Sequence, residues 1–495
     1  VKDLNNYVIS SSIEENIKMM KDIFNKDATL RFREFENQYN GLNCCVFFID
    51  GMVDINMINE NVLKPILDTK VILDGIDHID YMKSHIIISS IVNTSYKISD
   101  IVSGIISGGT ILFIDGNSKA MIIDTKGCKT RDIEEPPAEK VLRGPREGFT
   151  ESLLTNLSLI RKRIQTKDLK FRYFTVGERT NTNICICYVE GLAKEEVLDT
   201  VIRKINEIST DGVLDIKYIQ EFIDDNPFSI FETTTSTEKP DIVTGRLLEG
   251  RIAVLVDGSP AAMTAPSVFI EHMMASDDYY LNYFFATIGR IIRIIGFIAS
   301  ISIPALYLSL VSFHQEMIPA PLIMGIYSAR QGVPFPTFLE LFALLAVFEG
   351  LREAGTRVPS PIGESISIVG ALVLGTAAVE ARFVSAPMII VVGLTAITGL
   401  ALPSLSAVII IIRGFLLILS AMLGFYGYIF GMIGLIIHLF NLRSLGVPFM
   451  DNLTSLRPQS LKDTMVRAPM WYMRYRPKFM SEDSKRSVDG GEKDE

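Results

Sequence analysis

The chain has 495 residues, a net charge of −9, 48% hydrophobic and 21% charged residues, and a mean hydropathy of +0.29. That length calls for several domains, and the hydropathy averages two unlike parts: residues 1–289 read as a soluble protein and 291–440 as a membrane one. The acidic balance, with no basic stripe interleaved with aromatic residues, argues against a nucleic-acid binder.

The first 40 residues are polar and charged, so no signal peptide is expected. The five cysteines form no framework: Cys44 and Cys45 are adjacent, Cys128 stands alone, and Cys185 and Cys187 alternate along a predicted strand. Without a CxxC pair they read as reduced structural thiols of a cytosolic domain.

The first third of the chain resembles the second at an offset of 139 to 142 residues. NIKMMKDIFNKDATLRFREF from Asn16 lies over NLSLIRKRIQTKDLKFRYF from Asn156. VFFIDG ending at Gly51 lies over CYVEG ending at Gly191, and SDIVSGIISGGTILFIDG ending at Gly116 lies over PDIVTGRLLEGRIAVLVDG ending at Gly258. Short β-rich runs at Val46 to Ile49, Ile111 to Ile114 and Val254 to Val256 read as buried strands. Helical patterns at Ile13 to Phe24, Asp100 to Ile106 and Glu195 to Ile208 alternate with them, which argues for α/β sandwiches. The repeated Asp-Gly suits a turn after a buried strand, with Asp as a cap; a binding crevice at the strand ends is the alternative.

Between the copies, PPAEKVLRGPREGFTESL runs from Pro136 to Leu153. It reads either as a solvated connector or, through Arg143, Arg146 and Glu147, as a clasp between domains or subunits, because arginine forks hold carboxylates bidentately. No phosphate-binding glycine motif, no HExxH and no histidine cluster is present, so the sequence specifies no enzyme, metal or cofactor.

Tyr279, Tyr280 and Tyr283 with Arg290 and Arg293 form an interfacial collar at the entrance to the apolar block, and the arginines put the N-terminal domains in the cytoplasm. Ile294 to Phe313 is a run of twenty uncharged residues, and Val384 to Ile412 and Gly414 to Phe440 are longer runs divided only by Arg413. A hydrocarbon core of about 30 Å needs about 20 apolar residues. Beyond Phe440 come Arg443, Arg457, Lys462, Arg467, Arg474, Arg476 and Lys478, which put the tail in the cytoplasm and make the number of crossings even. Four crossings are expected, at about 294–313, 365–381, 384–405 and 414–440, with Thr337 to Gly350 re-entrant or interfacial; six remain an alternative. Most of the charges around these segments are expected to pair, as Glu349 or Glu353 with Arg352 or Arg357.

Ser365 to Val379 is short and rich in small residues, so it belongs inside a bundle rather than against lipid. At helical spacing Glu364, Ile368, Ala371 and Gly375 share a face, with Ser367 beside them. If several subunits turn that face inward, a pore forms with an acidic mouth at Glu364 and an apolar constriction near Ile368 or Val369, with Ser365 and Leu372 also in its lining. Tight helix packing alone is the competing reading.

The fold class read from the sequence is thus α/β plus membrane all-α. Two tandem duplicated α/β sandwich domains, 1–135 and 151–275, are joined by a linker at 136–150. A multi-span helical transmembrane domain of about four to six helices covers 276–442, and a basic then polar cytoplasmic tail covers 443–495.

At these residues the chain resembles the A subunit of spore germinant receptors, the GerA-type family of endospore-forming bacteria. The resemblance covers nearly the whole length. It rests on RGPREGF from Arg143, NLSLIRKRI from Asn156, TEKPD from Thr237, LLEGRIAVLVDGSP from Leu247 and DDYY from Asp277. It continues through IPAPL from Ile318, GVPFPT from Gly332, LREAGTRVPSPIGESISIVGALVLGTAAVEA from Leu351 and LRSLGVPF from Leu442. The resemblance implies a multi-pass component of the spore inner membrane. Its partners would be a permease-like B subunit that senses the nutrient, a lipoprotein C subunit, and further copies of itself in a ring around an ion path lined by the Ile362 to Ala381 helix. The family's usual TERPD reads TEKPD here, and a Gln near the helix start is Glu364, which bears on ion preference. A membrane-anchored signalling adaptor and a paralogous spore ion-channel subunit are the alternative functions; a transporter acting alone is disfavoured because the apolar part shows no inverted repeat.

Overall fold

In the computed structural model, residues 4, 7–39, 41–70, 78–127, 135–136, 139–141, 143–357, 373, 375–451, 463–473, 475–476, 480–481 and 485 are described. The N-terminal half forms two antiparallel sheets of five strands each. In the first, β1 (Leu30–Glu36), β2 (Asn43–Ile49), β3 (Val92–Ser95), β4 (Gly109–Ile114) and β5 (Ala120–Asp124) lie in the order β1-β2-β4-β5-β3. In the second, β6 (Leu169–Val176), β7 (Thr182–Val189), β8 (Thr235–Thr237), β9 (Ile252–Val256) and β10 (Ala262–Ala265) lie in the corresponding order β6-β7-β9-β10-β8.

Each sheet is covered on both faces, which is why its central strands are apolar at every position rather than at alternate ones. Successive side chains of a strand point to opposite faces. In the first unit Cys45, Phe47 and Ile49 pack against α1 (Ile13–Ile23) and α2 (Ile98–Ile106), while Cys44 and Val46 face Ile58, Val62, Ile66 and Met82. In the second unit Cys185, Cys187 and Val189 face α3 (Leu153–Arg163) and α6 (Pro240–Leu248). There, Ile184, Ile186 and Tyr188 face α4 (Glu195–Asn206) and α5 (Ile216–Ile223). Cys44, Cys45, Cys185 and Cys187 are buried free thiols, and burial pushes Cys44 and Cys45 up to about 12. Cys128 lies outside the described residues.

The Asp115-Gly116 and Asp257-Gly258 turns each cap a helix. Asp115 accepts from Ile13 N at the start of α1 (3.2 Å), and Asp257 accepts from Leu153 N at the start of α3 (3.1 Å). Gly116 and Gly258 sit at φ +78° and +89°, where a side chain would be strained. The buried Asn16 and Asn156 close equivalent rings with Ser10 and Thr150.

The C-terminal half is helical: α7 (Tyr283–Ser312), α8 (Ala320–Arg330), α9 (Thr337–Arg357), α10 (Ala386–Leu400), α11 (Ser406–Leu423) and α12 (Phe425–Asn441). Among the described residues, the helices at Tyr283–Ser312 and Pro403–Leu423 are long and apolar enough to cross a membrane; α10 and α12 are shorter apolar helices. Central to the bundle is α7, which runs antiparallel to α10, with Gly296 against Thr398 and Ser300 against Gly399, and parallel to α11.

The helices depart from the expected spans in two places. Gly414 to Phe440 is not one rod: Gly424, at φ +62°, ends α11 and turns the chain into α12. The two helices return against each other, with Gly427 under Leu419 and Gly431 under Leu416, so close that a Cβ at either glycine would collide. The stretch therefore forms a hairpin, and the boundaries 384–405 and 414–440 give way to three helices. Thr337 to Gly350 is likewise not a short piece, since α9 continues to Arg357 for 21 residues, about 31 Å at 1.5 Å per residue.

The chain leaves the bundle on the side where it entered. His438, in the last turn of α12, meets Ser229 of the second unit (3.1 Å), and the LRSLGVPF segment folds into a hairpin turning at Leu445 and Gly446, at φ +47° and +81°. Ser444 Oγ receives the Ser267 N–H at 3.0 Å and donates to Thr233 O at 2.5 Å, fixing this hairpin under the second sheet.

Candidate functional site at the junction of linker, bundle and tail

The two α/β units meet at a buried ion pair. Arg161, near the end of α3, reaches Asp27 of the first unit at 2.6 Å, also touches Thr29 Oγ1 at 3.3 Å, and stacks over Phe171 with its guanidinium carbon 4.6 Å from the ring centre. One backbone bond, Ala28 N to Phe171 O at 2.9 Å, runs beside it.

The linker is docked rather than solvated. Glu139 accepts from Thr237 Oγ1 at 2.6 Å and Glu238 N at 3.2 Å, and Phe149 N donates to Glu238 O at 2.8 Å, so the TEKPD segment is the linker's seat. Gly144, at φ +118°, packs so closely on Tyr280 that a Cβ would lie 2.6 Å from the ring. Tyr280 in turn donates to Asp241 at 2.7 Å, and burial, with this carboxylate, pushes the phenol up. Of the residues expected to form a clasp, Glu147 pairs with Arg163 at 2.6 Å, Arg146 lies 3.9 Å from Glu135, and Arg143 is exposed. The buried contact between the units is Asp27 with Arg161, which the sequence reading did not single out.

At the collar, Asp278 is almost fully buried and holds Arg290 at 3.0 Å and Arg293 at 2.6 Å. Arg290 also reaches Asp463 Oδ1 of the tail at 3.0 Å, and Tyr279 donates to Asp463 Oδ2 at 3.0 Å. Arg467 donates to Tyr279 O at 3.2 Å and to Thr287 Oγ1 through its backbone N–H at 3.1 Å. The DDYY segment thus ties the second unit, α7 and the tail together. Beside it lies a cavity of about 720 Å³, bordered by Asp241, Arg246, Glu249, Arg251, Glu271 and Tyr279. Burial alone would raise Glu271, but Arg251 at 2.5 Å and Arg246 at 3.9 Å overcome it and hold the carboxyl below its usual range. Burial pushes the neighbouring His272 down.

Within the bundle, Glu349 of α9 pairs with Arg413 of α11 and with Arg352 at 2.9 Å. The buried Glu340 accepts from Ser385 N and Oγ at 2.5 and 2.6 Å, with Arg330 at 3.9 Å. Glu353 pairs with Arg357 at 2.6 Å. Local pairing was legible; the reach from Glu349 to Arg413 was not. Of the residues expected to line a pore, Glu364, Ser365, Ser367, Ile368, Val369, Ala371 and Leu372 lie outside the described residues. Gly375 is described, in a helical turn where a Cβ would have ordinary contact, at 3.7 Å, with Ile389 of α10. Among the described residues, no three His, Cys, Asp or Glu side chains are grouped to hold a metal ion.

Residues 18–479 match the model of the Bacillus/Clostridium GerA spore germination protein family. The chain is 39% identical over 472 residues to the membrane protein YfkQ of Bacillus subtilis (strain 168), covering 95% of this chain and 91% of that one. It is 38% identical to spore germination protein KA of the same organism, covering 97% and 88%, and 32% identical to spore germination protein GerLA of Bacillus cereus, covering 95% and 96%. A crystal structure of the N-terminal domain of the A subunit of the Bacillus megaterium spore germinant receptor GerK3 aligns with 53% of this chain and 98% of that one, at 26% identity and a TM-score of 0.40.

Proposed function

The chain belongs to the GerA family of spore germination proteins, and from that premise we propose that it is the A subunit of a nutrient germinant receptor. In this reading it crosses the spore inner membrane several times with both termini in the cytoplasm, and the two α/β units, alike in strand order, are a tandem duplication. It assembles with a permease-like B subunit, a lipoprotein C subunit and further copies of itself in a ring, and contacts between copies form at the linker through Arg143 and Arg146, beside the Glu147–Arg163 pair. The function is a ligand-gated cation channel whose path is lined by the segment from Glu364 to Gly375.

The observation that carries this reading is the ion-paired cluster of Glu349, Arg352 and Arg413 among apolar helices. Charges at such depth are costly unless paired or beside water, and they mark functional elements of membrane proteins. Here they fix α9, the helix that leads directly into the Glu364 segment, against α11. A motion of the α/β units passes through Asp278 and Arg290 to α7, from α7 to the parallel α11, and through Arg413 to α9. Displacing α9 breaks the Glu349 pair, so the cluster resists partial movement and suits a two-position gate.

The test is ion flux through the assembled receptor in liposomes. Nutrient should release monovalent cations, and Ile368→Ala and Val369→Ala should each raise flux without nutrient. Assemblies that bind nutrient but pass no ions, in the native form and in both variants, would refute the channel. A signalling adaptor is the second reading, favoured by the docking of both linker and tail on the second unit. It predicts germination signalling without conductance.

A further inference from the structure

One turn of the tail sets exposed apolar residues beside the start of α7. Met470, Trp471 and Tyr472 form a single 3-10 turn, and their exposures are 54%, 64% and 57%. They are not held there loosely. Arg467 binds the second turn of α7 through Thr287, and the Trp471 ring stands edge-on to Tyr283 with centroids 6.4 Å apart. The outer face of α7 continues from this point as Phe284, Phe285, Ile288 and Ile292, all more than half exposed.

A second exposed ring lies at the same end. Phe228 is fully exposed, in a loop that Ser229 ties to His438 and Asn226 ties to Arg443 O at the exit of α12. Trp471 thus stands beside the first residue of α7, and the loop that carries Phe228 is tied to the last turn of α12, at the same end of the bundle. Exposed apolar groups in such an arrangement need an occupant.

We propose that Met470, Trp471 and Tyr472, with Phe228, form a footing in the boundary between lipid headgroups and acyl chains that seats the second α/β unit and the tail on the bilayer. The occupant is lipid because the tail patch is continuous with the outward apolar face of α7; the inference rests on the reading that α7 crosses the membrane. An indole suits that boundary, having an apolar body and one N–H donor. Arg476, bound through Nε to Leu248 O at 2.8 Å, lines the same cavity as Met470 and supplies a cation for lipid phosphates there.

Trp471 is the sole tryptophan of the chain, so its fluorescence reports on this one place. The full-length protein is reconstituted in phosphatidylcholine vesicles whose acyl chains carry bromine either near the headgroup or near the bilayer centre. The footing predicts strong quenching by the shallow bromines, at least twofold above that by the deep ones, and weak quenching by iodide in the buffer. Full quenching by iodide with none by bromine overturns it, as does shielding from both, the signature of a protein partner or a second copy on the patch. Trp471→Phe combined with Phe228→Trp should repeat the shallow pattern at the second ring. Trp471→Phe combined with Phe415→Trp moves the reporter to the exposed middle of α11. Deep quenching there without shallow quenching at Trp471 rejects the footing alone, whereas no quenching at either rejects both the footing and the membrane crossing.

Discussion

Arg161 donates from Nη2 to Asp27 Oδ2 at 2.6 Å, and the two side chains are 1% and 0% exposed. A buried pair of this kind stabilises little in net terms, yet removing one partner strands the other charge in a poor solvent. Asp27→Ala or Arg161→Ala should therefore cost roughly 3–5 kcal/mol. The double change Asp27→Leu with Arg161→Met should cost markedly less, since it leaves no charge behind. Chemical denaturation of the detergent-solubilised chain checks this; equal losses in single and double variants would show that the pair is not what joins the units.

Gly144→Ala should loosen the linker. The new methyl would lie 2.6 Å from the Tyr280 ring at a backbone φ of +118°, so strain and collision act together. A loss of about 1–3 kcal/mol is expected, together with faster proteolysis around Arg143 and Arg146. Tyr280→Ala should relieve the collision but not the backbone strain, so the combined variant should recover part of the loss.

Arg413→Leu should destabilise the bundle because Glu349 would keep only Arg352, and Glu349→Leu should do more harm by leaving the buried Arg413 without its carboxylate. The expected costs are on the order of 2–5 kcal/mol, read as lower thermal stability in detergent. Arg413→Leu with Glu349→Leu should restore stability. If the pair also gates, the double variant should lose nutrient control of ion flux despite folding normally.

Acidification should weaken the junction in two steps. His272 is held below its usual value of 6.5, so the unfolded chain binds its proton first and stability falls as pH drops below that value. Glu271 is held below 4.5, so its contribution is complete above that pH and is lost as pH falls through the lowered folded value. His272→Gln should remove the upper step and Glu271→Gln the lower one, as measured by thermal stability across pH.

Much of the α/β half was legible because its signals are local. The cap at Asp115 recurs at Asp257, and the central strands are continuous apolar runs, so the buried strands and the turn chemistry show in the residues themselves. Lys21 sits over Phe32 as Arg161 sits over Phe171, a likeness also visible when the segments from Asn16 and Asn156 are aligned. What could not be read was partnership at a distance. Nothing around Arg161 names Asp27, and nothing around Arg413 names Glu349. The hairpin at Gly424 was hidden because glycine is common in apolar helices, so a turn glycine looks like Gly414, Gly427 or Gly431. The length of the Gly414 to Phe440 run was the overlooked clue: it exceeds one crossing and falls short of two full-length ones. Glu340 and Glu349 interrupted the apolar pattern of α9 because their partners, Ser385 and Arg413, lie on other segments.

The central claim is that the segment after Glu364 lines a cation path shared between copies of the chain. It is tested most directly by the reversal potential of nutrient-evoked current through the assembled receptor in a bilayer, compared between the native protein and Glu364→Lys. A shift from cation toward anion preference is the predicted result. A current whose selectivity is untouched by the charge reversal would contradict the account.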